Sequence, residues 1–241
     1  VRALVVLMVL GALAASTGAV AVRAASKSVS CTGSFAGSAH SLSVPAGAVC
    51  TLEAGASISK NVDVAATGSL IDEGAKIGGS LVATSPAGIQ IGGSTLSQIS
   101  KNVTITGLTG TLGGDNYICN AKIGGTLRDE GAAATAAPIV IGDAPTCSAG
   151  VHVSKTARIQ GNATAVDVSS DTFGQHLEVE GNTAGVNVSS NHTSQNLIVQ
   201  NNSGGVTVSH NSAGRTSTCQ GNMPTTEGEG NTGHRGNTCP A

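Results

Sequence analysis

Residues 161–180, 181–200, 201–220 and 221–240 superimpose as four blocks of 20 residues, and that fixed period constrains the fold more than any other feature. One column holds Asn162, Asn182, Asn202 and Asn222; a second holds Asp171, Asn191, Asn211 and Asn231. A period of this length marks a stack of like coils, each burying the apolar face of its neighbour. Val166/Val168, Val186/Val188 and Val206/Val208 align, with Asp167, Asn187 and Thr207 between them. That alternation points the valines inward and the polar side chains outward. Leu177/Val179 and Leu197/Val199 repeat the pattern later in the block. Each coil therefore holds at least two short strands, paired in parallel with those of its neighbours at about 4.8 Å. The expected fold class is all-β: a single parallel β-helix with about 20 residues per coil.

The Asx columns fit the corners between strands. A side-chain amide both donates and accepts, so Asn stacked on Asn can hydrogen-bond along the column and satisfy polar groups that a corner would otherwise bury unpaired. Asn tolerates left-handed backbone, and Gly161, Gly181 and Gly221 beside it tolerate it better.

The front of the chain is looser but still repetitive. Residues 58–64 (ISKNVDV) recur as 99–105 (ISKNVTI), and 75–81 (AKIGGSL) recur as 121–127 (AKIGGTL). The unequal offsets predict coils carrying loops of different length, with residues 132–145 as the candidate interruption. No charged or linker-like break divides the chain, so one solenoid over residues 26–241 is expected. The block 221–240 replaces the paired valines by Thr226 and Gly228 and adds Pro224, Glu227 and Glu229, which reads as a capping coil.

With no Trp, one Tyr and two Phe, the chain lacks the aromatics of a packed globular core but suits a narrow coil interior. A formal net charge of -2 and the scarcity of aromatics argue against a nucleic-acid partner. Residues 1–25 read as a secretory signal: Arg2, an apolar run from Ala3 to Ala15, then small residues with exits after Ala21 or Ala24. The uncharged stretch Ala3 to Val22 also has the length of a membrane anchor, so a membrane contact is expected only if this segment is uncleaved.

Six cysteines in an exported chain imply three disulfides. Cys219 and Cys239 occupy the column of Val179 and Val199, so stacking brings their Cα atoms within the ~4.4–6.8 Å that a disulfide allows. Cys31 with Cys50, and Cys119 with Cys147 across an outward loop, are the natural remaining pairs.

No set of reactive residues converges. The acidic pairs Asp72-Glu73 and Asp129-Glu130 each precede Gly and read as solvated turns. The column of Asp167 continues as Asn187 and Thr207, and Glu178 and Glu180 give way to Ile198 and Gln200. His176, His192, His210 and His234 fall at different block positions and form no ladder. No catalytic residue, metal ligand or cofactor is assigned. Calcium-binding nonapeptides are missing, the single Thr-x-Thr unit at Thr104 and Thr106 does not recur, and the Asn-x-Ser/Thr triplets follow from the abundance of Asn and Ser.

The units GNTAGVNVSSN (181–191) and NLIVQNN (196–202) resemble the repeats of secreted, right-handed, pectate-lyase-like parallel β-helix proteins. In particular they resemble uncharacterised exported proteins of high-GC Gram-positive bacteria. The resemblance is close over 160–240 and looser over 42–127, where IGGSL and KNV are also similar to bactofilin-like solenoids. It implies a β-helix and a secreted or cell-surface location, and it transfers no catalytic residue. The functional expectation is a non-enzymatic structural or surface component of the bacterial envelope, with a cell-wall glycan or a second copy of the chain as partner. The alternatives are a carbohydrate-active β-helix enzyme or a glycan-binding module.

Overall fold

The repeating coil of the computed structural model, which describes residues 27–143, 147 and 149–241, turns through three strands where the alternation predicts at least two. The first and second are the segments read from the sequence, for example Leu177–Glu180 and Val186–Ser189. The third is a two-residue strand such as Thr172–Phe173, His192–Thr193 or Ser212–Ala213. Strands of each kind stack in parallel into sheet A (11 strands, Leu177–Glu180 among them), sheet B (9 strands, with Val186–Ser189) and sheet C (10 strands, with His192–Thr193). The assignment of residues 1–25 as a signal lies outside the described residues.

Register follows the 20-residue columns. Val166 pairs with Val186 and Val186 with Val206; Leu177 pairs with Leu197, and Val199 with Cys219. In front of this regular part the advance per coil varies, from 13 residues between Ser28 and Ser41 to 30 between Leu127 and Ala157. The long coil is where an interruption is predicted, yet all three sheets run through it, because Asn116 pairs with Ile139, Ile139 with Val166, and Ala121 with Val151. Most of its extra length lies between Gly142 and Val151, at the corner from sheet B to sheet C.

The interior is a narrow apolar column. Sheets A and B supply alternating Leu, Ile and Val, while sheet C runs inward through Ile77, Ile99, Ile123, Val153, Phe173, then Thr193 and Ala213, with Ser97, Ala121 and Val151 as second inward residues in three of its strands. The shrinking side chains taper the core toward the C-terminus, where Ser217 and Cys219 replace Leu197 and Val199. The last coil pairs in sheets C and A but touches sheet B only through an isolated bridge from Thr207 to Glu227. The covalent clamp there joins Cys219 to Cys239 (Cα–Cα 4.7 Å). Cys31–Cys50 (5.5 Å) staples the first coils, and Cys119–Cys147 (5.8 Å) ties the long corner loop to the preceding coil.

The corner from sheet C to sheet A carries a two-coil repeat. Aligned by backbone hydrogen bonds, its first position reads Ser59, Gly78, Ser100, Gly124, Ser154, Gly174, Ser194, Gly214. A Cβ on each of these glycines would collide with the carbonyl oxygen of the serine one coil earlier. The repeated ISKNV and AKIGG segments are thus alternate coils of one corner.

Candidate functional site

The two Asx columns form continuous hydrogen-bonded ladders. The Asn202 backbone N–H donates to Asn222 Oδ1 (3.0 Å), and its Nδ2 donates to Asn222 Oδ1 (3.0 Å) and to the Val179 carbonyl (3.0 Å). Asn182 repeats this pattern one coil earlier, Asn211 repeats it in the second column, and Asn162 begins the first ladder by accepting from the Ala132 N–H (2.8 Å). In the second ladder the Asp171 N–H donates to Asn191 Oδ1 (3.0 Å), and Asn231 closes the far end by donating to the Val208 and Pro240 carbonyls (2.6 and 2.7 Å). The left-handed backbone at these corners falls on the preceding residue. Gly161, Gly181, Asn201 and Gly221 have it in one column, and Ser170, Ser190, His210 and Gly230 in the other. His210 thus holds a corner position, which accounts for its mismatch with the other histidines.

The acidic pairs are corrected by the structure. Asp72 and Asp129 are not solvated turns: each ends or nearly ends a strand and points inward, while Glu73 is exposed and Glu130 is half-buried. Asp72 Oδ1 accepts from the N–H groups of Gly74 (3.1 Å) and Ala75 (2.7 Å), so it caps its own corner, and burial raises its pKa. Asp129 sits between Ile105 and Ile159 in sheet A. Its Oδ1 has no partner, and burial, with a smaller push from Glu130, raises its pKa to about 7. Asp171 accepts from the Val151 N–H (2.6 Å), and burial drives its pKa well up. These three carboxyls line the inside of the solenoid, out of reach of a polymeric substrate.

Several outer carboxylates are engaged, while Glu73 stands exposed one coil on from Glu53 and Asp63 is exposed on sheet A. Glu178 accepts from Arg158 Nε (2.6 Å), which in turn raises the arginine's pKa; Glu180 accepts from Gln160 Nε2 (3.2 Å) and Gln200 Nε2 (2.9 Å). Arg128 pairs with Glu130 on the same sheet. A shallow groove of about 440 Å³ on sheet B, between Pro138, Val140, Asp167, Asn187 and Thr207, holds one carboxylate, Asp167, which accepts from Asn187 Nδ2 (3.0 Å). Glycoside hydrolysis by paired carboxyls needs two, flanking one bond. Among the described residues, no group of three or more His, Cys, Asp or Glu is placed to hold a metal ion. No helix among them is long and apolar enough to cross a membrane.

Compared with protein-family models, curated proteins and solved structures, the chain matches none.

Stacking also segregates charge, which the sequence reading missed. Lys60, Lys76, Lys101, Lys122 and Lys155 are all exposed on sheet C or on the corner leading from it to sheet A. None of the chain's 14 Asp and Glu residues lies on that sheet or corner. A near-neutral total conceals a one-sided basic stripe.

Proposed function

We propose that this protein is a non-enzymatic, exported β-solenoid that serves as a structural or surface component of a bacterial cell envelope or matrix. The observation that carries the reading is the disposition of the carboxyls. The buried ones are spent on corners or enclosed in the core, and Glu130, Glu178 and Glu180 on sheet A are held by Arg128, Arg158 and glutamines. Polysaccharide cleavage on a β-helix needs acidic side chains converging in an open groove, and the sheet B groove offers Asp167 alone. Three disulfides, at the first coils, the long loop and the last coil, suit an oxidising compartment. The secretory reading of residues 1–25 and the resemblance to exported β-helix proteins support the same placement.

Two measurements test this. Incubation with uronate and neutral polysaccharides is expected to release no new reducing ends; turnover abolished by Asp167→Asn or Glu178→Gln would establish an enzyme. Peptide mapping of the protein expressed in a high-GC Gram-positive host is expected to find it in the medium or at the surface with an N-terminus after Ala21 or Ala24. Recovery of the intact chain from the cytosol with reduced cysteines would remove the export reading.

A further inference from the structure

We propose that the basic stripe along sheet C binds a linear anionic polysaccharide carrying one carboxylate per sugar. Five consecutive coils each contribute one lysine, alternately from the corner and from the strand: Lys60, Lys76, Lys101, Lys122, Lys155. The alternation has a steric cause. On the coils of Lys76 and Lys122 the corner position is Gly79 or Gly125, where a Cβ would meet Asn61 Oδ1 or Asn102 Oδ1. Those two amides accept from the Ser80 and Thr126 N–H groups (both 3.0 Å) and so cap the corner. Where the corner excludes a side chain, the lysine stands on the strand of the same coil, and the run of one cation per coil is unbroken.

Along the solenoid axis successive charges are one coil rise apart, about 4.8 Å, over roughly 19 Å, while the strand lysines stand three residues before the corner column, so the stripe is two staggered files about 10 Å apart. A pyranose chain laid along the solenoid axis between the two files advances by a similar length per sugar, so a polyuronate would bring its carboxylates alternately toward one file and the other. The ion pairs among the described residues, Arg128–Glu130 and Arg158–Glu178, both lie on sheet A, and the stripe has no acidic side chain to neutralise it. His152 adds a titratable group on the coil of Lys155; Arg215 and Arg235 continue the corner column farther on, beyond Gln175 and Gln195. Lysine supplies point charges without the planar fork that arginine offers to phosphate. No aromatic side chain stands on this face, so the base stacking that single-stranded nucleic acid uses is missing. The acidic face of a second copy is a weaker occupant, because Glu130, Glu178 and Glu180 already have partners.

The inference rests on the non-enzymatic, extracellular reading only in its choice of ligand, and its test is independent of that reading. Full-length protein is titrated with polygalacturonate, with neutral dextran of equal length and with oligothymidylate at equal charge concentration, at about 50 and 200 mM salt. Expected are binding of polygalacturonate alone, weakening with salt, and a loss of at least about ten-fold in the variant with all five lysines changed to Gln. Each lysine is exposed, so the variant's thermal melt is expected to match the parent's. A control, Arg128→Gln with Arg158→Gln on sheet A, should bind as the parent does. Lack of binding, equal binding by the lysine variant or equal loss in the control overturns the proposal. So does oligothymidylate binding as tightly as polygalacturonate, or salt-sensitive self-association lost in the lysine variant. Slow cleavage of bound polygalacturonate would leave the stripe in place and overturn the non-enzymatic reading instead.

Discussion

Replacing Asp129 by Val is expected to stabilise the protein by an amount that grows with pH. Asp129 interrupts a column of Ile105 and Ile159, so the site accepts a β-branched side chain. Its carboxyl is enclosed, with Oδ1 unpartnered, and burial pushes its pKa up to about 7 from the ordinary 3.8. Below the unfolded-state value the carboxyl is protonated in both states and exacts no ionisation penalty. As pH rises, the unfolded chain ionises first while the fold holds the proton, so stability is lost progressively between about pH 4 and pH 7 and the loss then levels off. Holding the proton from the ordinary 3.8 up to about 7 amounts to about 4 kcal/mol at pH 8. At pH 4 the variant gains only from removing a buried polar group without its full complement of partners, about 1–3 kcal/mol. Asp72 and Asp171 are also buried with raised values, but they are present in both proteins and cancel in the comparison. For a domain of this size ~4 kcal/mol corresponds to roughly 8–16 °C in Tm. Melts followed by circular dichroism at pH 4 and pH 8 should therefore show a gap between variant and parent that is wider at pH 8 by about that amount. An equal gap at both pH values would refute the assignment of a neutral Asp129 to the folded state.

Three further outcomes follow from the ladders and the cap. Asn202→Ala removes the acceptor of the Asn182 N–H (3.0 Å) and one donor to the Val179 carbonyl, so a urea midpoint equivalent to about 1–3 kcal/mol lower is expected; a loss under about 0.5 kcal/mol would show that water replaces the amide. Ser190→Gly relieves a left-handed serine (φ 57°) and should raise stability by about 0.5–1 kcal/mol in the same assay, with no gain expected if the corner rearranges. Opening the 20-residue loop with Cys219→Ser and Cys239→Ser should cost about 3 kcal/mol, confined to the last coil. Limited proteolysis should then cut first within residues 221–240, and cleavage starting in the central coils would contradict a local role for the clamp.

The parts of the fold that were legible in the sequence are those where one coil repeats the last without insertion. Valine alternation exposed sheets A and B, and the Asn columns exposed the corners, because the side chains recur at fixed spacing. In the regular blocks sheet C left no such trace: with one inward residue per strand, as at Phe173, Thr193 and Ala213, it has no alternation to detect. Asp72 and Asp129 read as turn residues because each acidic pair precedes a glycine. Strand phase decided otherwise, since successive side chains face opposite sides of a sheet and one member of each pair must point into the core.

Sequence alone therefore determined the period, the parallel coil, the stacking of Asn on Asn and the register that sets Cys219 against Cys239. All of these depend on spacings within a regular repeat. The tertiary structure decided which residues of unequal coils become neighbours. Lys60, Lys76, Lys101, Lys122 and Lys155 are separated by 16, 25, 21 and 33 positions in the chain, with no visible period. Parallel hydrogen bonding absorbs the length differences into loops and brings these residues to one face at one per coil. A net charge of -2 cannot report that arrangement, because a sum over the chain discards the direction in which each charge points.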